Sequence, residues 1–446
     1  MQSLLDTIAA PATPPGVSAL AVIRISGADA VNVVNTCFSK DLSDAGGYTM
    51  HYGHFRDGEQ VVDEVIVSVF RSPHSYTGED SVEISGHGSP YITGRILHTL
   101  LKNGCRTAEP GEFTLRAFLN KKLDLTQAEA VADMIHSQSE AGLQMALHQM
   151  RGGFRDDIAG LRQELIDFAA LIELENDFGE EDVEFANRDR LRSLVDLLLT
   201  RIEKLRESFV AGNAMKHGIR TVIVGKPNAG KSTLLNALLK EERAIVSDIA
   251  GTTRDTIEEL FTLDGVLFRL IDTAGLRESS DTIEQIGVDR AKASMRDADL
   301  IIYLFDAETT NSAQLVHEVS QLPEVAYQLV VANKTDLTPD ATFGEEVIPI
   351  QAKSGNIMSL LTALKKIAGS YEFGSETIVN NARHADALRQ SSDSLQRVLH
   401  GLDSGLSSDL VALDIRQSLH FLGLITGEVT TDDLLDSIFT RFCIGK

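Results

Sequence analysis

The chain has 446 residues, of which 43% are hydrophobic, and a formal net charge of −24 at pH 7. This length allows about three domains. The acidic balance repels nucleic-acid backbones, so a nucleic-acid substrate must be held at a local basic patch or by a partner. Three scattered cysteines, Cys37, Cys105 and Cys443, exclude a disulfide framework or a zinc site. No apolar run reaches the roughly 18 residues that span a bilayer, so we expect a soluble, cytoplasmic protein.

The first 120 residues mix short β-type runs with turn clusters. The runs cover 19–25, 61–70 and 81–84, and the turn clusters cover 13–16 and 85–89. This alternation predicts an α+β module.

From residue 125 to about 210 the apolar spacing becomes helical. Two stripes are predicted to be helix cores: Leu161, Leu165, Phe168, Ala169 and Ile172, then Leu191, Leu194, Val195, Leu198, Ile202 and Leu205.

Residues 225–232 read GKPNAGKS, a complete phosphate-binding loop, between a predicted strand at 221–224 and a predicted helix at 232–239. Backbone N–H groups of such a loop converge on phosphates, Lys231 neutralises their charge, and the Ser232 hydroxyl can bind Mg²⁺. A phosphate-binding site is therefore predicted here.

The segment NKTD at 333–336 selects the base. Asp336 can accept hydrogen bonds from two donors of guanine, whereas adenine lacks that pair, so GTP is preferred over ATP. Asn333 follows an apolar run at 329–332, a strand end, where ligands bind in open α/β sheets. Ala352 and Lys353 resemble the last guanine-contacting element of GTPases, although Gln351 replaces the usual Ser.

Between these motifs lie GTTRD at 251–255 and DTAG at 272–275, the latter ending a predicted hairpin whose turn is Asp264–Gly265. Leu276 occupies the position where Ras-like proteins carry a water-orienting Gln. Our hypothesis is that Glu284 activates water; the alternative is a solvated acid at a helix start.

A monovalent cation is predicted in place of an arginine finger. Asn228 offers a side-chain oxygen inside the phosphate loop, and residues 247–252 offer carbonyl oxygens, ligands that suit a hard ion such as K⁺.

Residues beyond about 376 return to helical spacing, and Val429, Thr430, Thr431 and Asp433 resemble the N-cap of a last helix. So short a segment cannot easily bury its own core. We therefore predict one discontinuous helical domain, formed by 121–213 and 377–446, with an α/β P-loop GTPase domain inserted at 214–376 and an N-terminal α+β domain at 1–120.

Together these blocks resemble the MnmE (TrmE) family of tRNA-modification GTPases from end to end. The N-terminal blocks and the end of the chain are specific to that family. The blocks are TPPG (13–16), RISG (24–27), YTGED (76–80), GHG (86–88), PGEFTLRAFLNKKLDL (110–125), GKPNAGKS, IAGTTRD, DTAGLRE and the final FCIGK.

The resemblance implies a homodimer, formed through the N-terminal domain, whose GTP hydrolysis is stimulated by K⁺. It also implies a tetrahydrofolate one-carbon derivative in that domain and a partner of the MnmG type, which alone supplies FAD, in a heterotetramer or larger complex. The pair would add an aminomethyl or carboxymethylaminomethyl group to C5 of the wobble uridine of certain tRNAs.

By the same resemblance, folate contacts fall on Arg24, Glu83, Lys122 and Lys446. Mg²⁺ ligands fall on Ser232 and Thr253, and K⁺ ligands on Asn228, Ser247, Ile249 and Thr252. The full set of expected GTP contacts is Asn228, Ala229, Gly230, Lys231, Ser232, Thr233, Ser247, Asp248, Ile249, Ala250, Gly251, Thr252, Thr253, Asp272, Thr273, Ala274, Gly275, Asn333, Lys334, Asp336, Ala352 and Lys353.

Cys443 is either a functional thiol near the folate site or a small buried residue. In the first case it is a second catalytic residue, in addition to Glu284. Two other function classes stay open. One is a ribosome-assembly GTPase without group-transfer chemistry, and the other is a nucleotide-driven mechanical scaffold. Tetrahydrofolate binding by the N-terminal segment separates both from the preferred function.

Overall fold

The computed structural model describes residues 6–177, 188–241, 259–271, 294–338, 343–371 and 377–446. The chain forms two compact units, each assembled from separate stretches of sequence. The first contains residues 1–132, 149–162 and 420–446, and the second contains 133–148 and 163–419. Among the described residues, no helix has the length and apolar character needed to cross a bilayer.

The first unit is built on a six-stranded sheet in the order β3-β4-β5-β2-β1-β6, antiparallel except for β1 and β6. Its strands are β1 (Ile8–Pro11), β2 (Ser18–Ser26), β3 (Thr49–Asp57), β4 (Gln60–Phe70), β5 (Ser81–Gly88) and β6 (Arg106–Thr107).

One face of this sheet is covered by α1 (Ala30–Cys37) and α2 (Pro90–Lys102), which bury Val67, Ile84 and Leu100 among others. The other face carries the exposed side chains of Leu20, Met50, Tyr52 and Ile66 among others. The predicted α+β module is confirmed.

The prediction of a turn at 85–89 was wrong, because β5 continues through Gly88. Glycine at position 86 signals close packing here, since a Cβ would lie 2.6 Å from the Asp63 carboxylate. That carboxylate accepts hydrogen bonds from the His87 backbone N–H at 2.8 Å and its Nδ1 at 2.7 Å.

Helices and parts of helices complete the first unit. They are α3 (Glu112–Leu119), α4 (Leu125–His136), the start of α6 (Gly153–Asp177), the end of α12 (Ser408–Thr426) and α13 (Asp432–Phe439). The predicted cap of the last helix is confirmed, because the Thr431 hydroxyl accepts the Leu434 N–H.

The second unit contains a six-stranded sheet in the order β12-β11-β10-β7-β9-β8, parallel except for the β8–β9 pair. Its strands are β7 (Ile219–Val224), β8 (Glu259–Leu263), β9 (Val266–Leu270), β10 (Leu300–Asp306), β11 (Tyr327–Asn333) and β12 (Val347–Pro349).

The predicted hairpin is confirmed. Leu263 pairs with Val266, and the two turn residues Asp264 and Gly265 have φ of 48° and 79°. Around this sheet lie α5 (Glu140–Met150), α8 (Lys231–Glu241), α9 (Ser312–Val319) and α10 (Met358–Gly369).

Two long helices, α7 (Arg188–His217) and α11 (Ala382–Asp403), pack against each other although 164 residues separate the end of one from the start of the other. Most residues of the predicted apolar stripes of α6 and α7 are buried, including Leu165, Val195 and Ile202 at 0% exposure, while Leu194 and Leu205 are half-buried. The discontinuous helical domain is therefore confirmed, while its exact boundaries stay a prediction.

The sheet of the second unit follows directly on the first helix of this pair in the chain. Strand β7 begins two residues after α7 ends. The returning segment crosses the same part of α7, where Val379 donates its N–H to Ser208 Oγ at 3.0 Å. A Cβ on Gly212 would lie 2.1 Å from the Val379 carbonyl oxygen, so the crossing needs glycine.

Candidate functional site

The phosphate loop connects the end of β7 to the start of α8. Gly230 has φ of 100°, and a Cβ there would lie 2.2 Å from Asn333 Nδ2. The position therefore excludes side chains. Asn228 also has a left-handed backbone (φ 64°) and is exposed.

Lys231 lies at the first residue of α8, where its Nζ donates to the carbonyl oxygens of Gly225 at 2.8 Å and Lys226 at 3.0 Å. Burial lowers the pKa of this ammonium. The exposed hydroxyls of Ser232 and Thr233 follow in the first helical turn. Helix N–H groups, a cation and a hydroxyl thus meet at one edge of the sheet, an arrangement suited to phosphate and its Mg²⁺.

Asn333, the last residue of β11, joins two loops. Its Nδ2 donates to the Ala229 carbonyl at 2.8 Å, and its Oδ1 accepts the Ala352 N–H at 3.0 Å. The side chain is 3% exposed, so both hydrogen bonds are shielded from water. The predicted phosphate and base segments are therefore physically linked through one amide.

Lys334 and Asp336 complete the base segment. Lys334 has φ of 63°, and its Nζ pairs with Asp306 Oδ2 at 2.6 Å. Asp336 is exposed, as is Lys353, while Ala352 is buried. A carboxylate at the carboxyl edge of the sheet is accessible to the donor edge of guanine.

The remaining predicted residues of this site lie outside the described residues, so their roles stay predictions. They are Ser247, Asp248, Ile249, Ala250, Gly251, Thr252, Thr253, Asp272, Thr273, Ala274, Gly275 and Glu284.

A second site lies on the open sheet face of the first unit. Arg24 of β2 stands opposite Glu83 of β5, and its Nη2 lies 2.8 Å from Glu83 Oε1. The Arg24 guanidinium lies 5.3 Å from the Tyr76 ring centroid and 5.7 Å from that of Phe113. These distances are within the range of cation–π attraction.

Lys446 brings a second cation to the same ring, its Nζ lying 5.9 Å from the Tyr76 centroid. Burial, reinforced by the nearby Arg24, lowers the pKa of this ammonium. Arg24 also donates to the Gly445 carbonyl at 3.4 Å. We call Arg24, Tyr76, Glu83, Phe113 and Lys446 the cation–aromatic cluster.

Sequence reasoning missed Tyr76 and Phe113 as members of this cluster, although both lie within the quoted blocks. The Tyr76 hydroxyl is hydrogen-bonded to Thr114 Oγ1 at 2.8 Å, and burial raises its pKa. The Lys122 side chain contacts the backbone near the cluster and not the cluster side chains. Its Nζ donates to the Pro73 carbonyl at 3.0 Å, in the loop that leads to Tyr76.

Cys443 is exposed, so the alternative of a small buried residue was wrong. Its carbonyl accepts N–H groups from Gly111 and Lys446. Cys37 and Cys105 are buried free thiols, and burial raises the pKa of Cys105 to about 12.

A mostly parallel sheet with a phosphate loop after its central strand and an Asn-Lys-x-Asp segment after β11 defines a P-loop GTP-binding protein. Two family profiles match the chain: "GTP-binding protein TrmE N-terminus" over residues 7–122 and "MnmE helical domain" over residues 125–443.

Curated relatives agree over nearly full length. The tRNA modification GTPase MnmE of Cytophaga hutchinsonii is 51% identical, covering 99% of this chain and 98% of the relative. That of Flavobacterium johnsoniae is 50% identical, covering 99% of both chains. Among solved structures, the G domain of the T. maritima FeoB iron transporter is 26% identical, covers 34% of this chain and 98% of that chain, and has a TM-score of 0.24. The chain belongs to the MnmE (TrmE) family of tRNA modification GTPases.

Proposed function

We propose that this chain hydrolyses GTP and, with an FAD-dependent partner of the MnmG type, adds an aminomethyl or carboxymethylaminomethyl group to C5 of the wobble uridine of certain tRNAs. The single observation that carries the proposal is the cation–aromatic cluster in the first unit. A binding switch or a mechanical scaffold needs only the nucleotide site, whereas group transfer needs a second site for a one-carbon donor.

In the nucleotide site, Lys231 would neutralise phosphate charge, Ser232 and Thr253 would hold Mg²⁺, and Asp336 would accept hydrogen bonds from the donors of guanine. Asn228, Ser247, Ile249 and Thr252 would supply oxygen ligands to K⁺, and the bound ion would supply positive charge next to the γ-phosphate. Support comes from Asn228, because its exposed side chain lies inside the phosphate loop.

The role of K⁺ is tested by measuring GTP turnover in potassium and in sodium salts at equal ionic strength. We expect fast hydrolysis only with potassium, and equal rates in both salts would reject this part. Glu284→Ala should abolish hydrolysis and leave GTP affinity unchanged, whereas normal turnover would remove Glu284 as the group that activates water.

In the second site, the Glu83 carboxylate suits the donor edge of a pterin, and Arg24, Lys446 and Lys122 suit the glutamate tail of tetrahydrofolate. The donor group would supply the one-carbon unit. Residues of this chain would bind it, orient it over the Tyr76 ring and hold its tail.

Binding of 5-formyltetrahydrofolate to the full chain, measured by calorimetry, tests this site. Glu83→Gln and Arg24→Met should each weaken binding at least about tenfold. Arg95→Met is the matched control, because Arg95 pairs with Asp57 at 3.0 Å elsewhere in the unit. Equal effects of Arg95→Met and Arg24→Met would contradict the assignment.

The thiol of Cys443 is accessible and next to the cluster in sequence, so we assign it a functional role in modification. Cys443→Ser with normal GTP hydrolysis but no modified uridine supports that role, and full modification removes it. Mass spectrometry of wobble uridines from cells lacking the chain, complemented with each variant, provides the readout.

We further propose that the chain acts in the cytoplasm as a homodimer formed through its first unit. The exposed apolar side chains of Met50, Tyr52 and Ile66 on the open sheet face support this association. Sedimentation of Ile66→Asp should show a monomer, and an unchanged dimer would place the interface elsewhere.

A further inference from the structure

Close to the cation–aromatic cluster in the first unit lies a largely buried network of charged and hydroxyl side chains centred on Arg116. The Arg116 side chain is only 1% exposed. Its Nη2 donates to Asp6 Oδ1 at 2.7 Å and to Glu112 Oε1 at 3.0 Å, and its Nη1 lies 3.2 Å from Glu79 Oε2. One guanidinium therefore connects three carboxylates from three segments of the chain.

The network continues through Glu79 to the sheet. Glu79 Oε2 accepts the Ser26 hydroxyl at 2.7 Å, and Ser26 Oγ lies 2.7 Å from Thr77 Oγ1. Ser26 and Thr77 are both buried, at 0% and 1% exposure. Polar groups this deep in the unit are stable only in the arrangement that satisfies them.

Three of the five cluster residues, Arg24, Tyr76 and Phe113, have a network residue nearby on the same segment. Ser26 is two residues from Arg24 on β2, and therefore on the same face. Thr77 directly follows Tyr76. Arg116 is one helical turn after Phe113 on α3.

We propose, resting on the proposed folate function, that Arg116 is a positioning residue for the folate site. Through Glu79, Ser26 and Thr77 it holds the strand, loop and helix that carry Arg24, Tyr76 and Phe113. These segments keep the Arg24 guanidinium within range of both aromatic rings. Its planar fork is essential, because an ammonium has no fixed geometry with which to serve three carboxylates.

The test compares Arg116→Met with Val67→Ala in the full chain. Val67 is fully buried on the helix-covered face of the same sheet, so its truncation destabilises the unit without reaching the network. We expect Arg116→Met to weaken 5-formyltetrahydrofolate binding at least about tenfold, while Val67→Ala leaves the affinity unchanged. Arg116→Lys should recover only part of the affinity.

A second readout does not depend on any ligand. The chain has 7 tyrosines, so ¹⁹F NMR after 3-fluorotyrosine incorporation can follow Tyr76, assigned with Tyr76→Phe. We expect the Tyr76 signal to shift or broaden in Arg116→Met and to stay in place in Val67→Ala. If wild-type chain binds no folate, the proposed function fails, yet this signal still decides the role of Arg116.

Wild-type affinity in Arg116→Met, or an equal loss in Val67→Ala, would overturn the proposal, as would an unmoved Tyr76 signal. If Arg116→Met does not fold, Glu79→Gln takes its place, since it keeps the side-chain size and removes one charged partner of Arg116. The same comparison with Val67→Ala then applies.

Discussion

Asp336 and Asn333 differ in burial and in the partners of their side chains. Asn333 is buried, and both polar atoms of its side-chain amide form hydrogen bonds to backbone groups of two loops. It therefore fixes the position of one loop relative to the other. Asp336 is exposed and presents a carboxylate at the edge of the sheet. We therefore propose that base identity rests on Asp336, a residue that can be changed without disturbing the loops.

We predict that Asp336→Asn exchanges the preference for GTP for one for xanthosine triphosphate. The amide can donate to the C2 oxygen of xanthine but presents a donor to the amine of guanine. GTP affinity should fall about ten- to hundredfold, the equivalent of 1–3 kcal/mol for an unsatisfied polar group. Competition binding with both nucleotides measures this change in affinity and preference. Asp297→Asn, the same change at an exposed carboxylate before β10, is the control, and a similar loss there would argue against base recognition by Asp336.

Glu112 makes the stability of the first unit dependent on pH. Burial opposes its ionisation, but hydrogen bonds from Arg106 at 2.6 Å and from Arg116 hold its pKa below the ordinary 4.5. A carboxyl group with a depressed folded-state pKa stabilises the fold above its unfolded pKa, and this contribution is lost as the pH falls towards the folded value.

We therefore predict that Glu112→Gln lowers the free energy of unfolding by about 1–3 kcal/mol at neutral pH. The gap from wild type should narrow as the pH falls from about 5 to 3. Urea unfolding at several pH values measures this gap. Glu59→Gln at an exposed turn should change nothing, and a pH-independent gap for Glu112→Gln would show that its charge is not the cause.

At the scale of elements, the last helix α13 is short, and its stability depends on the cap at its start and on one apolar face. Thr431 caps its start by accepting the Leu434 N–H at 3.2 Å. Its apolar face, Leu435, Ile438 and Phe439, packs against Leu125 and Ala128 of α4. The helix thus holds together residues that are far apart in the sequence.

Thr431→Ala should destabilise the first unit by about 1 kcal/mol, because one helix N–H loses its acceptor. Ser437→Ala, an exposed change within the same helix, should be neutral, since alanine favours helix. Thermal unfolding of both variants measures this difference in stability. Equal shifts in the two variants would mean that the cap contributes nothing.

Elements defined by local chemistry could be predicted from sequence. The β8–β9 hairpin followed from two turn residues, and the helix cores of α6 and α7 from apolar spacing. The continuation of β5 through Gly88 could not, because glycine there reflects the Asp63 carboxylate beside it rather than a turn.

Of the candidate sites, sequence motifs predicted the phosphate loop and the base segment, and the family resemblance indicated Arg24 and Glu83. They could not predict that Asn333 bonds to Ala229, which is 104 residues away. Nor could they predict that Arg116 connects Asp6, Glu79 and Glu112. Such contacts depend on how separate segments meet, which no local pattern records.

At the scale of the whole molecule, the two proposed ligand sites belong to different compact units. A ligand stabilises only the structure that binds it, by about 2.7 kcal/mol at a hundredfold excess over Kd. We predict that calorimetry resolves two unfolding transitions, one raised by GDP and the other by 5-formyltetrahydrofolate. Equal displacement of both transitions by either ligand would contradict independent units.

The crossing of Val379 over Gly212 has a further consequence. The polypeptide leaves α7 at His217 and returns over residue 212, only about 8 Å back along the helix axis. A bridge of a few glycine and serine residues is long enough to close that gap. The intervening nucleotide-binding region is therefore an insertion whose two ends meet α7 at neighbouring positions.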